Sequence, residues 1–239
     1  MVLLSVPLLL AATGELISER SGVLNIGLEG MMLSGAFFSF LGVYLWHNVP
    51  LGVLTGMGAG VVVALIMALL CVRLRSDQIV VGVGLNLLAL GVTTFTFREI
   101  FATQAEVRLD YPQPIAIPGL SELPVVGRPL FQQTLLGYLS FVAVGAAWFV
   151  LYRTSFGLSL RAAGESPAAA DTAGASVNRI RTIGTCVAGA LAGAAGAYLS
   201  VGRLGIFIDR PPGAGLQTGP GAGASAGSVT RTARTGSGR

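Results

Sequence analysis

Long apolar segments alternate with short polar segments along most of the chain. Six of the apolar segments are nearly free of charge, and each is close to the ~20 residues that cross a bilayer as an α-helix. A soluble amphipathic helix needs a polar face, which these segments lack. The pattern predicts an all-α, polytopic transmembrane helical bundle with about six membrane spans, at residues 1–17, 27–46, 51–72, 79–97, 134–152 and 179–201.

The arginines of the short connections give this predicted bundle an orientation. One arginine-bearing connection is 73–75, and the other extends over 153–181. Both connections fall on one side if each span crosses once, and the positive-inside rule makes that side cytoplasmic. The turn at His47 and the proline-rich segment 98–133 are then external.

Residues 210–239 differ in composition from the rest of the chain. They are rich in Gly, Ala, Ser, Thr, Pro and Arg, and their four arginines, without any acid, account for the net charge of +4. Such a segment buries too little apolar surface to offset the entropy of ordering it. We therefore expect a transmembrane domain at 1–209 and a disordered tail at 210–239, and the charge does not indicate nucleic-acid binding.

The overall composition excludes several classes of protein. The 239 residues are 53% hydrophobic and only 11% charged, whereas an ordinary soluble domain has about 25% charged residues. This excludes a soluble enzyme and a secreted disulfide scaffold. Cys71 and Cys186 lie in apolar spans, where thiols act as small buried side chains. His47, the single histidine, is at the external turn, so we expect no Ser–His catalytic pair, no metal site and no enzymatic activity.

Four polar residues, Glu15, Asn25, Glu29 and Asn86, lie in apolar surroundings, and Gly27 and Gly30 stand close to Glu29 on either side. A carboxylate at the membrane centre costs a few kcal/mol, so it usually faces a cavity or a partner. Two interpretations remain open. Either Glu29 lies near the interface with its carboxylate in water, or it lines a translocation pathway together with Asn25, Gly27, Gly30 and Asn86.

Small residues recur at every fourth position in two of the spans. Gly52, Gly56 and Gly60 do so in the third, and Gly189 and Gly193 do so in the sixth. Small residues at this spacing let another helix approach closely. We expect both spans to pack on other helices.

Two longer motifs resemble a known family. The stretch GELISERSGVLNIGLEGMM, residues 14–32, is similar to the hallmark of ABC importer permeases, in the branch for nucleosides and simple sugars that is related to branched-chain amino-acid permeases. The stretch LRAAGESPAAADTAGASVNR, residues 160–179, resembles the cytoplasmic coupling segment of that family. The resemblance covers residues 1 to about 209. Because such permeases usually have more membrane helices at both ends, we expect the membrane domain to be incomplete.

The residues of the second motif independently predict a short helix. Ser166 is a good N-cap, Pro167 suits the first helical position, and Gly174 is a natural stop. The resemblance implies that a separate ATPase docks on this segment, 161–179. The implied coupling residues are Arg161, Gly164, Glu165, Pro167, Ala169, Ala170, Asp171, Gly174 and Val177.

The resemblance also implies the activity and the partners. It implies a permease subunit of an ATP-driven importer in a prokaryotic cell membrane, with a nucleoside or simple sugar as solute. The partners are an ABC ATPase, a second permease subunit, an extracytoplasmic solute-binding protein and membrane lipid. The chain itself has no GxxxxGK[ST] phosphate loop, so we expect it to bind no cofactor and the ATPase to hydrolyse the ATP. The alternatives are an ion-coupled secondary carrier with Glu29 as its proton site, and an inactive truncated permease.

Overall fold

The computed structural model of the chain describes residues 2–101, 115–116, 132–133 and 135–201. Almost all of these residues are helical, which confirms the predicted all-α class. Apart from the short connections between helices, the described residues that are not helical form an antiparallel pair of two-residue strands, β1 (Ile115–Ala116) and β2 (Gln132–Gln133), with Ile115 opposite Gln133. The predicted tail 210–239 and the domain boundary near residue 209 lie outside the described residues, as does most of the predicted external segment 98–133.

The described helices follow one another through short connections. They are α1 (Val2–Arg20), α2 (Leu28–Trp46), α3 (Val49–Ala68, extended by a π-helical turn at Leu69–Arg73), α4 (Gln78–Phe101), α5 (Leu135–Arg153), α6 (Ser155–Glu165), α7 (Pro167–Thr172) and α8 (Val177–Leu199). Their bounds agree with the predicted spans to within a few residues. The fourth differs most at its end, because α4 continues for one further turn, to Phe101.

Four described helices are long and apolar enough to cross a membrane: α2, α3 with its π-helical turn, α4 and α8. A fifth crossing is counted if α5 and α6, which bend by 76° at their junction, are taken as one broken span. The first predicted span coincides with α1. It is not among the helices counted as crossings. The described residues thus contain four to five of the six predicted spans.

Helices α2, α3 and α8 form a tightly packed centre at their glycines. A Cβ atom added at Gly35 of α2 would lie 2.5 Å from the Cα atom of Gly193 in α8. One added at Gly56 of α3 would lie 2.7 Å from the carbonyl oxygen of Gly35. Gly60 of α3 meets the backbone of Gly189 in α8 in the same way. The prediction that the two small-residue stripes pack on other helices is therefore confirmed, and the stripes pack on each other.

Helix α1 runs antiparallel to α8. Gly14 of α1 lies against Ala188, and Ser21, just after α1, lies against Gly184. The end of α1 and the start of α8 therefore share one end of the bundle. Both arginine-bearing connections are at this end too, because they line a common cleft. Their predicted location at one end of the bundle is confirmed, and that this end is cytoplasmic stays a prediction of the positive-inside rule.

Candidate functional site

The predicted coupling helix is present as α7. It begins at Pro167, and the Ala170 N–H donates to the Ser166 carbonyl oxygen at 3.0 Å. Ser166 occupies the N-cap position, but its side chain makes no capping hydrogen bond, so its predicted capping role is not realised. The N-terminal boundary is set instead by Pro167, whose fixed φ suits the first turn and which has no N–H to satisfy.

The end of α7 is fixed by Gly174, as its sequence predicts. Gly174 has φ +86°, in the left-handed region that glycine enters at little cost. Its N–H donates to the Asp171 carbonyl oxygen at 2.9 Å, and the Ala175 N–H donates to the Ala170 carbonyl oxygen at 3.0 Å. These two bonds form a Schellman motif, which satisfies carbonyl groups that the helix end would otherwise leave free.

Only one side of α7 faces the protein. Ala170 is 4% exposed, whereas Pro167, Ala169 and Asp171 are exposed. The helix is therefore fastened through a single small side chain and offers the rest of its surface to solvent. The exposed Gly174 and Glu165 extend this surface at both ends of α7.

The remaining predicted coupling residues hold α7 in place. Gly164 at the end of α6 packs directly on the Arg20 carbonyl oxygen, in a space that a side chain would fill. The Arg161 guanidinium stacks 5.1 Å from the ring centre of Tyr152. Val177 packs against the buried cluster that contains Leu160. These three residues position the segment, and Arg161 and Val177 are half-buried in doing so.

Helix α6 is an element that the sequence analysis missed. The Thr154 hydroxyl oxygen accepts the Gly157 N–H at 3.1 Å, and this caps the start of α6 just after α5 ends. Gly157, Leu160 and Ala163 are buried at three-residue spacing, which gives α6 one apolar face. Gly157 lies directly on the carbonyl groups at the end of α5, so the sharp bend needs a residue without a side chain. The Thr154 cap and this spacing were the available sequence signals.

Arg181 is a further feature that the sequence analysis did not single out as functional. Its Nε donates to the Ser21 carbonyl oxygen at 3.2 Å, and its Nη2 donates to the Ala163 carbonyl oxygen at 3.3 Å. Arg181 itself belongs to the first turns of α8. One guanidinium thus ties together the turn after α1, the end of α6 and the start of α8.

The first motif is joined to α4 through Asn86. The Gly30 N–H donates to Asn86 Oδ1 at 2.7 Å, and Asn86 Nδ2 donates to the Ile26 carbonyl oxygen at 3.0 Å. Gly27 lies against Gly82, where an added Cβ would be 2.9 Å from the Gly27 nitrogen. Asn86 lies about 12 Å along the helix axis from the first residue of α4, at a rise of 1.5 Å per residue. The segment before α2 therefore runs along α4 into the depth of the bundle.

Asn25 and Glu15 form a neighbouring polar pair. Asn25 is 3% exposed, and its N–H donates to Glu15 Oε1 at 3.1 Å. Within the described residues, Glu15 Oε2 and Asn25 Oδ1 are buried oxygens with no hydrogen-bond partner. Glu29, in the first turn of α2, is instead exposed. The structure thus brings Gly27, Gly30 and Asn86 together, puts Asn25 beside Glu15, and leaves Glu29 exposed.

Substituting Asn86 tests the link between the first motif and α4. Asn86→Ala leaves both the Gly30 N–H and the Ile26 carbonyl without their partner, so we expect a loss of about 1–3 kcal/mol in the free energy of unfolding. Leu87→Ala is the matched control, because Leu87 is 66% exposed on the same helix. Unfolding of the purified protein in detergent, titrated with denaturant, measures both. If Asn86→Ala and Leu87→Ala unfold with the same free energy, the two hydrogen bonds of Asn86 contribute nothing to stability.

Residues 1–224 match the family described as branched-chain amino acid transport system / permease component. The chain belongs to this permease family. It is a multi-pass protein of the cell membrane, as its apolar helices require.

Several of the curated relatives of this permease carry transport names. A putative glucose ABC transporter permease protein of Haloferax volcanii is 44% identical over 204 residues, covering 84% of this chain and 61% of the relative. A guanosine ABC transporter permease protein of Bacillus subtilis is 42% identical over 202 residues, covering 80% of this chain and 62% of the relative. A nucleoside ABC transporter permease protein of Lactococcus lactis is 37% identical over 217 residues, covering 87% of this chain and 68% of the relative.

These relatives confirm the resemblance to the nucleoside and simple-sugar branch of the ABC permeases. The chain spans about three fifths of the length of the first two of them. No solved structure matches this permease significantly.

Proposed function

We propose that this chain is the membrane-spanning permease subunit of an ATP-driven ABC importer, and that it couples to a separate ATPase through residues 161–179. The proposal rests on the geometry and exposure of α7. It is a short helix, ended by Gly174 and exposed on most of its surface, at the arginine-marked end of a bundle that belongs to a transport permease family. An exposed helix fastened to a membrane bundle is the kind of element that a soluble motor can move.

The contacts of α7 define a route from the ATPase to the membrane spans. Movement of α7 passes to α6, because only Ser166 separates the two helices. From α6 it passes through Arg181 to the turn at Ser21, which leads into the first motif. Asn86 then connects that motif to α4. Rigid elements joined at a few such points suit switching between two discrete arrangements.

The translocation pathway, in this proposal, is lined by Asn25, Gly27, Glu29, Gly30 and Asn86. The support is chemical. The two orphan oxygens of Glu15 and Asn25 are acceptors that lack a donor, and sugars and nucleosides carry hydroxyl groups that donate. Since Asn25 is buried, its oxygen becomes available to a solute only when the first motif moves. This ties solute binding to the movement that α7 initiates.

The solute class is proposed from the relatives. The names of three of them specify glucose, guanosine or nucleosides, so the proposed solute is a nucleoside or a simple sugar. The proposed partners are an ABC ATPase, which hydrolyses the ATP, a second permease subunit and an extracytoplasmic solute-binding protein. The chain itself holds no cofactor and catalyses no covalent reaction in this proposal.

Uptake into proteoliposomes tests the proposal. The chain is reconstituted with a candidate ATPase, a second permease subunit and a binding protein, and the uptake of labelled guanosine and labelled glucose is measured. We expect uptake of one of these solutes to require hydrolysable ATP and to persist when a protonophore dissipates the proton gradient. A non-hydrolysable ATP analogue is the matched control.

Two other outcomes would contradict the proposal. Uptake that a protonophore abolishes while ATP remains intact would indicate the ion-coupled carrier. Assembly with the ATPase and ATP hydrolysis without uptake of either solute would indicate an inactive permease.

A further inference from the structure

A basic cleft lies beside α7, at the arginine-marked end of the bundle. Its volume is about 1010 Å³, and it opens between the connection that follows α3 and the segment from α7 to α8. The charged residues that line the cleft are Arg73, Arg75, Arg179, Arg181 and Asp171. Four cations thus face one anion across an open space, and the cleft carries an excess of positive charge.

Most of these arginine side chains have no interaction partner within the described part of the chain. There, the side chains of Arg73, Arg75 and Arg179 make no hydrogen bond or ion pair, and all three are exposed. Arg181 uses two of its nitrogens for backbone carbonyl groups. A guanidinium presents five donors in a planar fork that matches phosphate oxygens. The cleft is therefore a set of convergent donors, and the ligand they suit is an anion.

The backbone around the cleft adds to this positive potential. Helix α8 begins at Val177 inside the cleft wall, and its N-cap residue, Ser176, makes no side-chain capping bond. The first N–H groups of this 23-residue helix therefore point toward the same end as the arginines. Arg75 has φ +54°, a left-handed conformation that is uncommon outside glycine and is found more often at functional sites.

Exposed apolar side chains flank the same arginines. Leu74, between Arg73 and Arg75, is 65% exposed, and Val80, in the first turn of α4, is 70% exposed. An anionic head with hydrocarbon attached to it would contact both kinds of surface at once. Basic pockets at the cytoplasmic ends of membrane helices bind lipid head groups through this combination.

We propose that the cleft lined by Arg73, Arg75, Arg179 and Arg181 binds the phosphate head group of an anionic phospholipid, whose acyl chains lie along the exposed apolar side chains of α4. The site belongs to the permease bundle itself, so it stands independently of the transported solute. Pro167 and Asp171 line the cleft and also belong to the surface on which the ATPase is proposed to dock. The lipid site requires only that the chain spans a membrane, which its family membership and helices establish.

The experiment measures phospholipid binding to the full chain in neutral detergent, where no bilayer surface attracts lipid nonspecifically. Native mass spectrometry gives the Kd for phosphatidylglycerol, for zwitterionic phosphatidylcholine and for inorganic phosphate. We expect phosphatidylglycerol to bind more tightly than the other two. The double variant Arg73→Gln/Arg179→Gln is expected to weaken its binding by about fivefold for each arginine removed.

Two further variants keep the test decisive. Arg153→Gln is the matched control, because Arg153 is exposed at the same end but stacks on Trp148 and does not line the cleft; its Kd should match that of the unaltered chain. Ala168→Trp fills the cleft without removing any charge, so insertion into the membrane is unaffected. It should weaken phosphatidylglycerol binding even where loss of the arginines disturbs folding.

Equal Kd values for phosphatidylglycerol and phosphatidylcholine would overturn the proposal, as would binding that neither Arg73→Gln/Arg179→Gln nor Ala168→Trp weakens. Binding of inorganic phosphate as tight as that of phosphatidylglycerol would show a free-phosphate site and would overturn the lipid assignment. Lipid binding that is unchanged in the double variant while the ATPase no longer binds would assign the arginines to the ATPase interface.

Discussion

Replacing Gly60 with valine is expected to prevent the central helices from packing. Gly60 of α3 lies directly on the backbone of Gly189 in α8, and a Cβ added there would also be 3.0 Å from Gly193. Backbone cannot rotate away as a flexible side chain can, so α3 and α8 must separate. We expect the free energy of unfolding to fall by about 1–3 kcal/mol, the range for overpacking in a close-packed interior. Denaturant titration of the detergent-purified protein measures it.

The matched control for this substitution lies on the same helix. Gly58 is exposed, and a Cβ added to it would meet nothing within 4 Å. Gly58→Val changes helix propensity and hydrophobicity as Gly60→Val does, but it leaves the contact with α8 intact. The difference between the two variants therefore isolates the helix contact. Similar unfolding curves for the two variants would refute the close α3–α8 packing.

Adding a large side chain to the exposed face of α7 is expected to uncouple ATP hydrolysis from uptake. Ala169 is exposed on this short helix, so Ala169→Trp adds bulk where the proposed ATPase would dock without disturbing the bundle. We expect ATP-driven uptake to fall by about tenfold, which corresponds to the loss of about 1.4 kcal/mol of docking free energy. The measurement is the amount of solute taken up for each ATP hydrolysed in proteoliposomes.

Ala146→Trp provides the control for added bulk. Ala146 is exposed on α5, next to Ala147 and close to the exposed aromatic side chains of Trp148 and Phe149, away from α7. We expect its uptake for each ATP to equal that of the unaltered chain. If Ala169→Trp transports as well as Ala146→Trp does, then α7 is not the coupling element.

Substitutions at two other positions, one in α7 and one just after it, distinguish an effect on ATPase docking from an effect on the geometry of the helix. Ala170 is buried, so a bulky residue there acts by displacing the helix and should also lower its stability. Gly174→Pro cannot adopt φ +86° and loses the N–H that bonds Asp171, so it removes the C-terminal stop. Both should uncouple transport with a measurable loss of stability, whereas Ala169→Trp should not lower stability.

Local signals explain why the candidate site could be predicted in part. Pro167 and Gly174 set the bounds of α7 through their own backbone preferences, so neighbouring residues were sufficient. Arg181 could not be assigned in this way. Its two carbonyl acceptors lie 160 and 18 positions away in the chain, and only folding brings them to one guanidinium. The same holds for Asn86, whose partners are 56 and 60 positions distant.

The sequence by itself determined the class of the protein, its main membrane segments and the short helix α7. These follow from composition, from apolar length and from turn residues, all of which act over a few neighbouring positions. The tertiary structure alone decided which glycines meet, that α5 bends sharply into α6, and that four distant arginines share one cleft. Those features depend on contacts between residues far apart in the chain, and such contacts form only when the helices pack.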